Sequence, residues 1–214
     1  MVLDRIGKLC PGGKLPNDYI VFDLETTGRS IYSDRAIELG FVGVSDRKIA
    51  FELSWLVNWN IAVPPDATAK NHITTEMAMS GKWGPRLLPM LHPVLEDWAS
   101  RYVFVGHNLM KFDVPLFRTE LAKLGLKWNI SEDQMIDTLG MARAVFLKEG
   151  PSNGETLGGF MRRMVNKPVG GFSMDTLTVD LKLERHLKAG ETTHRAGPDC
   201  RLEHYLLEEL RNGG

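Results

Sequence analysis

A short β-rich run, Tyr19-Ile20-Val21-Phe22, leads directly into Asp23-Leu24-Glu25-Thr26-Thr27-Gly28. The run reads as a buried central strand. Residues two apart on a strand share a face, so Asp23 and Glu25 project together from the end of an element that must otherwise be dry. The apolar half of this segment demands cover on both faces, while the acidic half demands an opening or a partner. A solvated turn is the ordinary explanation of Asp-x-Glu after a strand. Thr26-Thr27-Gly28 argues for a ligand instead, because small hydrogen-bonding side chains and a flexible glycine let backbone approach one closely.

The remainder supplies a sheet and its cover. Ile37–Val44 and Ile49–Leu56, joined by the polar Ser45-Asp46-Arg47-Lys48, read as a hairpin continuing the sheet. Pro64-Pro65-Asp66 reads as a turn, and Thr74 or Thr75 as the cap of a short helix over Glu76–Met79. Leu87–Trp98 has helical periodicity interrupted by Pro89 and Pro93. Val103-Phe104-Val105 and Met135-Ile136 are further strands. Val114–Leu124, stopped by Gly125, then Thr138–Leu147, and Leu202–Leu210 with Pro198 near its start, are helices. Strands first and alternation afterwards imply an α/β fold, a mixed β-sheet flanked by helices.

A chain of 214 residues suits one domain with a sizeable core. Residues 1–17 read as an N-terminal extension and 18–214 as the domain, with an insertion-like, mildly basic segment around 148–193 that could guide a strand as a flap or be ordinary solvated helix. No apolar run reaches the roughly 18–20 residues of a membrane helix, so no membrane partner is expected. Two cysteines, Cys10 and Cys200, far apart in sequence, favour a reducing intracellular setting. The formal net charge of −1 argues against a broad duplex-binding surface. It allows a short single strand to be held where bound metal supplies positive charge. No phosphate-loop spacing or zinc-ligand set stands out.

Two further acidic clusters follow the first. Gly106-His107-Asn108 succeeds a strand and precedes Asp113, which an N-cap role would also explain. His194-Arg195-Ala196-Gly197-Pro198-Asp199 precedes the last helix, where Asp199 could simply complement the helix dipole. Together the clusters provide four carboxylates and a histidine, suited to holding hard cations and activating water against a phosphodiester.

In order and spacing these clusters resemble the DEDDh (DnaQ-like) 3′–5′ exonucleases over roughly residues 18–211. The first motif matches that family's Asp-x-Glu-Thr-Thr-Gly. Asn71-His72-Ile73-Thr74 is similar to its His-Gly-Ile-Thr segment, without the glycine after His72, which could equally be a turn residue with no ligand. Five residues from Asn108 to Asp113, followed by Val114-Pro115-Leu116-Phe117, look more like the three-prime repair exonucleases than the proofreading subunits. Gly197-Pro198 replaces the commoner apolar pair. Either Thr156–Phe160 or Met174–Leu177 could correspond to the helix before the third motif.

The resemblance implies a ribonuclease H-like sheet and two divalent cations, Mg²⁺ or Mn²⁺, held by Asp23, Glu25, Asp113 and Asp199. Asp23 would bridge the two ions, and His194 would take the proton of the attacking water. Leu24, Thr26, Thr27, Gly28, His72 and Asn108 would contact the substrate, with the first motif holding a terminal sugar. The implied partner is a nucleic acid 3′ end, single-stranded DNA by preference, with a polymerase or replisome compatible as a protein partner. An oligoribonuclease-like enzyme trimming RNA uses the same chemistry, and a non-catalytic nucleic-acid-binding module could use the same fold.

Overall fold

The computed structural model describes residues 1–213. The elements run α1 (Val2–Gly7), β1 (Tyr19–Thr26), β2 (Ala36–Ser45), β3 (Lys48–Asn58), α2 (Pro65–Asn71) and α3 (Thr75–Ser80). They continue with β4 (Lys82–Trp83), α4 (Gly84–Arg101), β5 (Val103–Gly106), α5 (Asp113–Lys123), β6 (Met135–Asp137) and α6 (Thr138–Phe146). Helices α7 (Leu157–Val165), α8 (Met174–Asp180) and α9 (Ala196–Gly213) are the last of the described residues' elements.

The six strands form one sheet in the order β4-β3-β2-β1-β5-β6. β1–β2 and β2–β3 are antiparallel, while β1–β5, β5–β6 and β3–β4 are parallel. This is the expected α/β mixed sheet flanked by helices. The hairpin between β2 and β3 turns through Asp46 and Arg47, both with positive φ, which matches the twist of the strands it joins.

Alternation along β1 divides the core. Tyr19 and Val21 pack with α6, α7 and α9 residues such as Met141, Phe160, Leu202 and Leu206. Ile20, Phe22 and Leu24 point the other way, into Leu88, Leu95, Phe117 and Trp128. Asp23 and Glu25 therefore continue the face covered by α9, just where apolar cover ends. Residues 1–17 contribute Leu3, Ile6 and Cys10 to that same layer.

Three local readings are corrected. Pro64-Pro65-Asp66 opens α2 instead of making a turn, because proline at a helix start gives up an N–H that has no intrahelical partner. Pro89 and Pro93 do not interrupt α4, which is continuous from Gly84 to Arg101. Pro85, Pro89 and Pro93 all lie on its exposed side, so the carbonyls they leave unpaired reach water, while Leu88, Leu95 and Ala99 bury the opposite side. Asp113 is the first residue of α5 and not its cap, which is Phe112. Helices form at both candidate positions before the third motif, α7 and α8.

Gly40 sets how closely α9 approaches the sheet. It pairs with Asp23 across β1 and β2. A Cβ at position 40 would overlap the Ala196 carbonyl and lie 2.8 Å from the Ala196 Cβ. Gly40→Val should lift the start of α9, destabilising the fold by roughly 1–3 kcal/mol and weakening divalent-cation binding at Asp199. Thermal unfolding combined with a Mn²⁺ titration checks this; unchanged values in both would show that α9 is not seated by this contact.

Candidate metal centre

β1 delivers the first two carboxylates. Its pairing with β2 slips between Glu25 and Thr26, a bulge that ends regular pairing as the strand reaches the cleft. Asp199 lies in the first turn of α9 and completes a group with Asp23 and Glu25, with one oxygen from each lying within 4.8 Å of the others. Asp113, only 4% exposed, faces the same cleft of about 1180 Å³.

The loop before α9 is clamped by Glu38 of β2. Its carboxylate accepts two bonds from Arg195, at 2.9 and 2.7 Å, one from the Ala196 N–H at 3.0 Å and one from the Ser54 hydroxyl at 3.0 Å. This holds His194, in the left-handed region at φ 61°, beside the acids. The His194 N–H donates to Asp199, 3.0 Å from Oδ2 and 3.2 Å from Oδ1. The His194 imidazole lies at the mouth, with Nε2 3.3 Å from Asp175 Oδ1. Burial holds its pKa below the ordinary histidine value; Asp175 opposes that effect, and Lys70 and His72 add to it.

The second motif is built around two acids that the sequence reading did not select. Asp137 caps α6 and accepts from the N–H groups of Asn108 (3.0 Å), Met110 (3.1 Å) and Leu139 (3.1 Å). Glu203, one helical turn beyond Asp199 on α9, accepts from the His107 N–H at 2.9 Å. These bonds fix Asn108 at φ 61° in the cleft wall. The i, i+4 spacing of Asp199 and Glu203 was a visible signal for two acids on one helix face.

Leu24, Thr26, Thr27, Gly28 and Asn108 all line the cleft. Thr26 donates its hydroxyl to the Gly28 carbonyl at 2.6 Å, and Thr27 donates its own to Asp34 at 2.9 Å. A Cβ at Gly28 would come within 2.7 Å of the Asp34 carboxylate, so the glycine makes room for that side chain. His72 is exposed and does not line the cleft, whereas Asn71 is buried there and donates to the Thr26 carbonyl at 3.1 Å. His72 ends α2 at φ 59°, the conformation glycine favours at such positions. It therefore occupies the glycine-like position of that segment, and Asn71 points inward instead.

The segment 148–193 supplies one wall, from Val169 through Asp175. Arg143 ties its start down through the carbonyls of Met164 (3.1 Å), Val165 (2.6 Å) and Val169 (2.9 Å). Much of its basic charge is spent in ion pairs, including Arg163–Glu155 at 2.8 Å, Lys167–Glu149 at 2.6 Å and Lys188–Glu52 at 2.6 Å. Positive charge around the cleft comes from Arg29, Lys70, Lys111 and Arg143.

Crowded acids without a cation hold their protons. Burial raises Glu25 to about 8, with Asp199 and Glu38 adding to the effect. Burial likewise raises Asp113 to about 8 and Asp199 to about 7. Asp23 is pushed well above the usual carboxylate range by burial and then by Glu203, Asp113, Glu25 and Asp199. Its Oδ2 is buried with no hydrogen-bond partner. An oxygen-only set with an orphaned, desolvated oxygen suits a hard divalent cation such as Mg²⁺ or Mn²⁺.

These shifts fix the direction of a pH effect. Unfolded carboxyls titrate near 4, so the folded, metal-free protein binds more protons up to about pH 8 and loses stability as pH rises. His107 and His204, lowered by burial to about 4, act in the opposite sense below about 6.5. The unopposed window is therefore about pH 6.5–8, in which the melting temperature in EDTA should fall. Mn²⁺ at about 100 times its Kd should restore about 2.7 kcal/mol. A metal-free melting temperature that rises through this window would contradict the assignment.

The RNase T family, described as exonuclease, matches residues 20–207. The chain is 36% identical over 132 residues to DNA polymerase III subunit epsilon of Treponema pallidum, covering 60% of this chain and 56% of that one. It is 33% identical over 132 residues to the PolC-type DNA polymerase III of Caldanaerobacter subterraneus, covering 62% of this chain and 9% of that one. The chain thus spans about half, or far less, of these relatives' lengths. Among solved structures, exonuclease X with 5′-overhanging duplex DNA has a TM-score of 0.59 at 23% identity, with 92% of each chain covered. Exonuclease I of E. coli with a dA16 oligonucleotide has a TM-score of 0.68 at 16% identity, covering 92% of this chain and 42% of that one. The chain belongs to the RNase T exonuclease family, within the DEDDh (DnaQ-like) 3′–5′ exonuclease superfamily.

Proposed function

We propose that the chain removes nucleotides one at a time from the 3′ end of DNA, releasing nucleoside 5′-monophosphates with the help of two Mg²⁺ or Mn²⁺ ions. The observation that carries this reading is the convergence of Asp23, Glu25 and Asp199, within 4.8 Å of one another, on the same cleft as Asp113 and His194. Asp23 would contact both ions, Glu25 and Asp199 would hold one, and Asp113 would support the other. Cations held there would neutralise the carboxylates, acidify a water and stabilise the charge developing on the leaving 3′ oxygen.

The protein's own groups supply the remaining steps. Lys70, Lys111 and Arg29 offset the acidic charge that would repel a phosphodiester. Leu24 and the backbone from Thr26 to Gly28 offer a surface for the terminal nucleoside, with Asn71 and Asn108 completing the wall. His194 accepts the proton of the attacking water on its imidazole, whose lowered pKa keeps it neutral and ready near pH 7. Asp175 beside Nε2 then favours the imidazolium that forms. DNA as substrate is supported by the relatives being DNA polymerase III proteins, and a replicase partner belongs to the same reading.

End-labelled single-stranded DNA tests the polarity. A blocked 3′ end or a circular strand should resist digestion and a blocked 5′ end should not matter; rapid cleavage of circles would indicate an endonuclease. Replacing His194 with Ala should cost about 10²–10⁴-fold in turnover while retaining Mn²⁺ and strand binding. Near wild-type turnover would remove His194 from the role of base.

A further inference from the structure

Glu203 is the most deeply buried acid of the cleft that the proposed chemistry leaves without a task. It is 2% exposed, lies on α9 and lines the same cleft. Among the charged groups acting on Asp23 it has the largest effect, ahead of Asp113, Glu25 and Asp199. Asp113 in turn has the largest effect among the charges acting on Glu203. Glu203 thus shares the cleft with Asp23 and Asp113, one helical turn beyond Asp199 on α9.

Its two oxygens are used unequally. Oε1 accepts from the His107 N–H, whereas Oε2 is buried without any partner. Asp23 Oδ2 is orphaned in the same way. Asp137, the other buried acid nearby, provides the contrast: both of its oxygens accept from backbone N–H groups, so its role in α6 and the Asn108 turn accounts for it fully. A desolvated carboxylate oxygen with nothing opposite is costly to retain. Two such oxygens in one acidic pocket call for a shared positive charge.

Resting on the two-cation reading above, we propose that Glu203 is a fifth carboxylate of the metal centre, with Oε2 facing the cation held by Asp23 and Asp113, as a ligand directly or through one water. Asp23 and Asp113 alone would give that cation two protein carboxylates and leave much of its binding to substrate phosphate. A third carboxylate lets this chain hold both cations before any nucleic acid arrives.

Mn²⁺ titration of the substrate-free protein, counted by the loss of the free-ion electron paramagnetic resonance signal, tests this. The wild type should bind two ions. Glu203→Gln keeps the side-chain volume and an oxygen for the His107 N–H, and should lose one ion or weaken it at least tenfold. Glu203→Asp, which keeps the charge on a shorter arm, should recover part of that affinity. Asp23→Asn should impair both ions and serves as the control for the underlying reading. Two ions in the wild type, lost in Asp23→Asn but retained at wild-type affinity in Glu203→Gln, would overturn the role of Glu203 and leave the two-cation reading intact. No binding by the wild type would overturn both.

Discussion

Confinement of like charge is the constraint around which this structure is arranged. Asp23, Glu25, Asp113, Asp199 and Glu203 come from β1, α5 and α9, and each raises the energy of ionising others. Such a group cannot persist as five bare anions in a desolvated cleft; it holds protons or it holds cations. Everything that keeps the acids together must work against their repulsion. The β1–β2 sheet does so with its hydrogen-bonded register, and α9 with its buried face of Leu202, Leu206, Leu207 and Leu210.

Two local devices complete the assembly. Gly40 removes the one side chain that would hold α9 away from β2. Glu38 spends its buried charge on Arg195 and the Ala196 N–H, which pins the loop carrying His194. Glu38 also lies opposite Glu25 across the strands, so its pairing with Arg195 limits how much negative charge faces the cleft. Separating an acid that is neutralised by arginine from acids left free for cations is what turns an acidic surface into a site.

The sequence made the central strand, the carboxylates of the three motifs and the loop histidine legible because each follows from local spacing. The apolar run Tyr19–Phe22 and the two-residue spacing of Asp23 and Glu25 are visible without a structure, and so is the position of Asp199 near the start of a helix. The i, i+4 spacing puts Glu203 on the same helix face as Asp199, but an acid in an amphipathic helix normally reads as solvated, and only packing shows that this one is buried. Asn71 and His72 were exchanged because left-handed backbone at a non-glycine residue leaves no mark in composition. The run of α4 through two prolines was obscured for a related reason: whether a lost hydrogen bond matters depends on which side of the helix faces water. Sequence spacing thus specified which acids lie near the end of β1, and packing decided which of their oxygens remain unsatisfied.

The most direct test of the account is diffraction at the manganese absorption edge from crystals soaked in Mn²⁺ without nucleic acid. The account predicts two anomalous peaks in the cleft, both within ligand distance of Asp23, one shared with Glu25 and Asp199 and the other on the side of Asp113 and Glu203. An empty carboxylate cleft at saturating Mn²⁺, with the acids in the positions described, would contradict it.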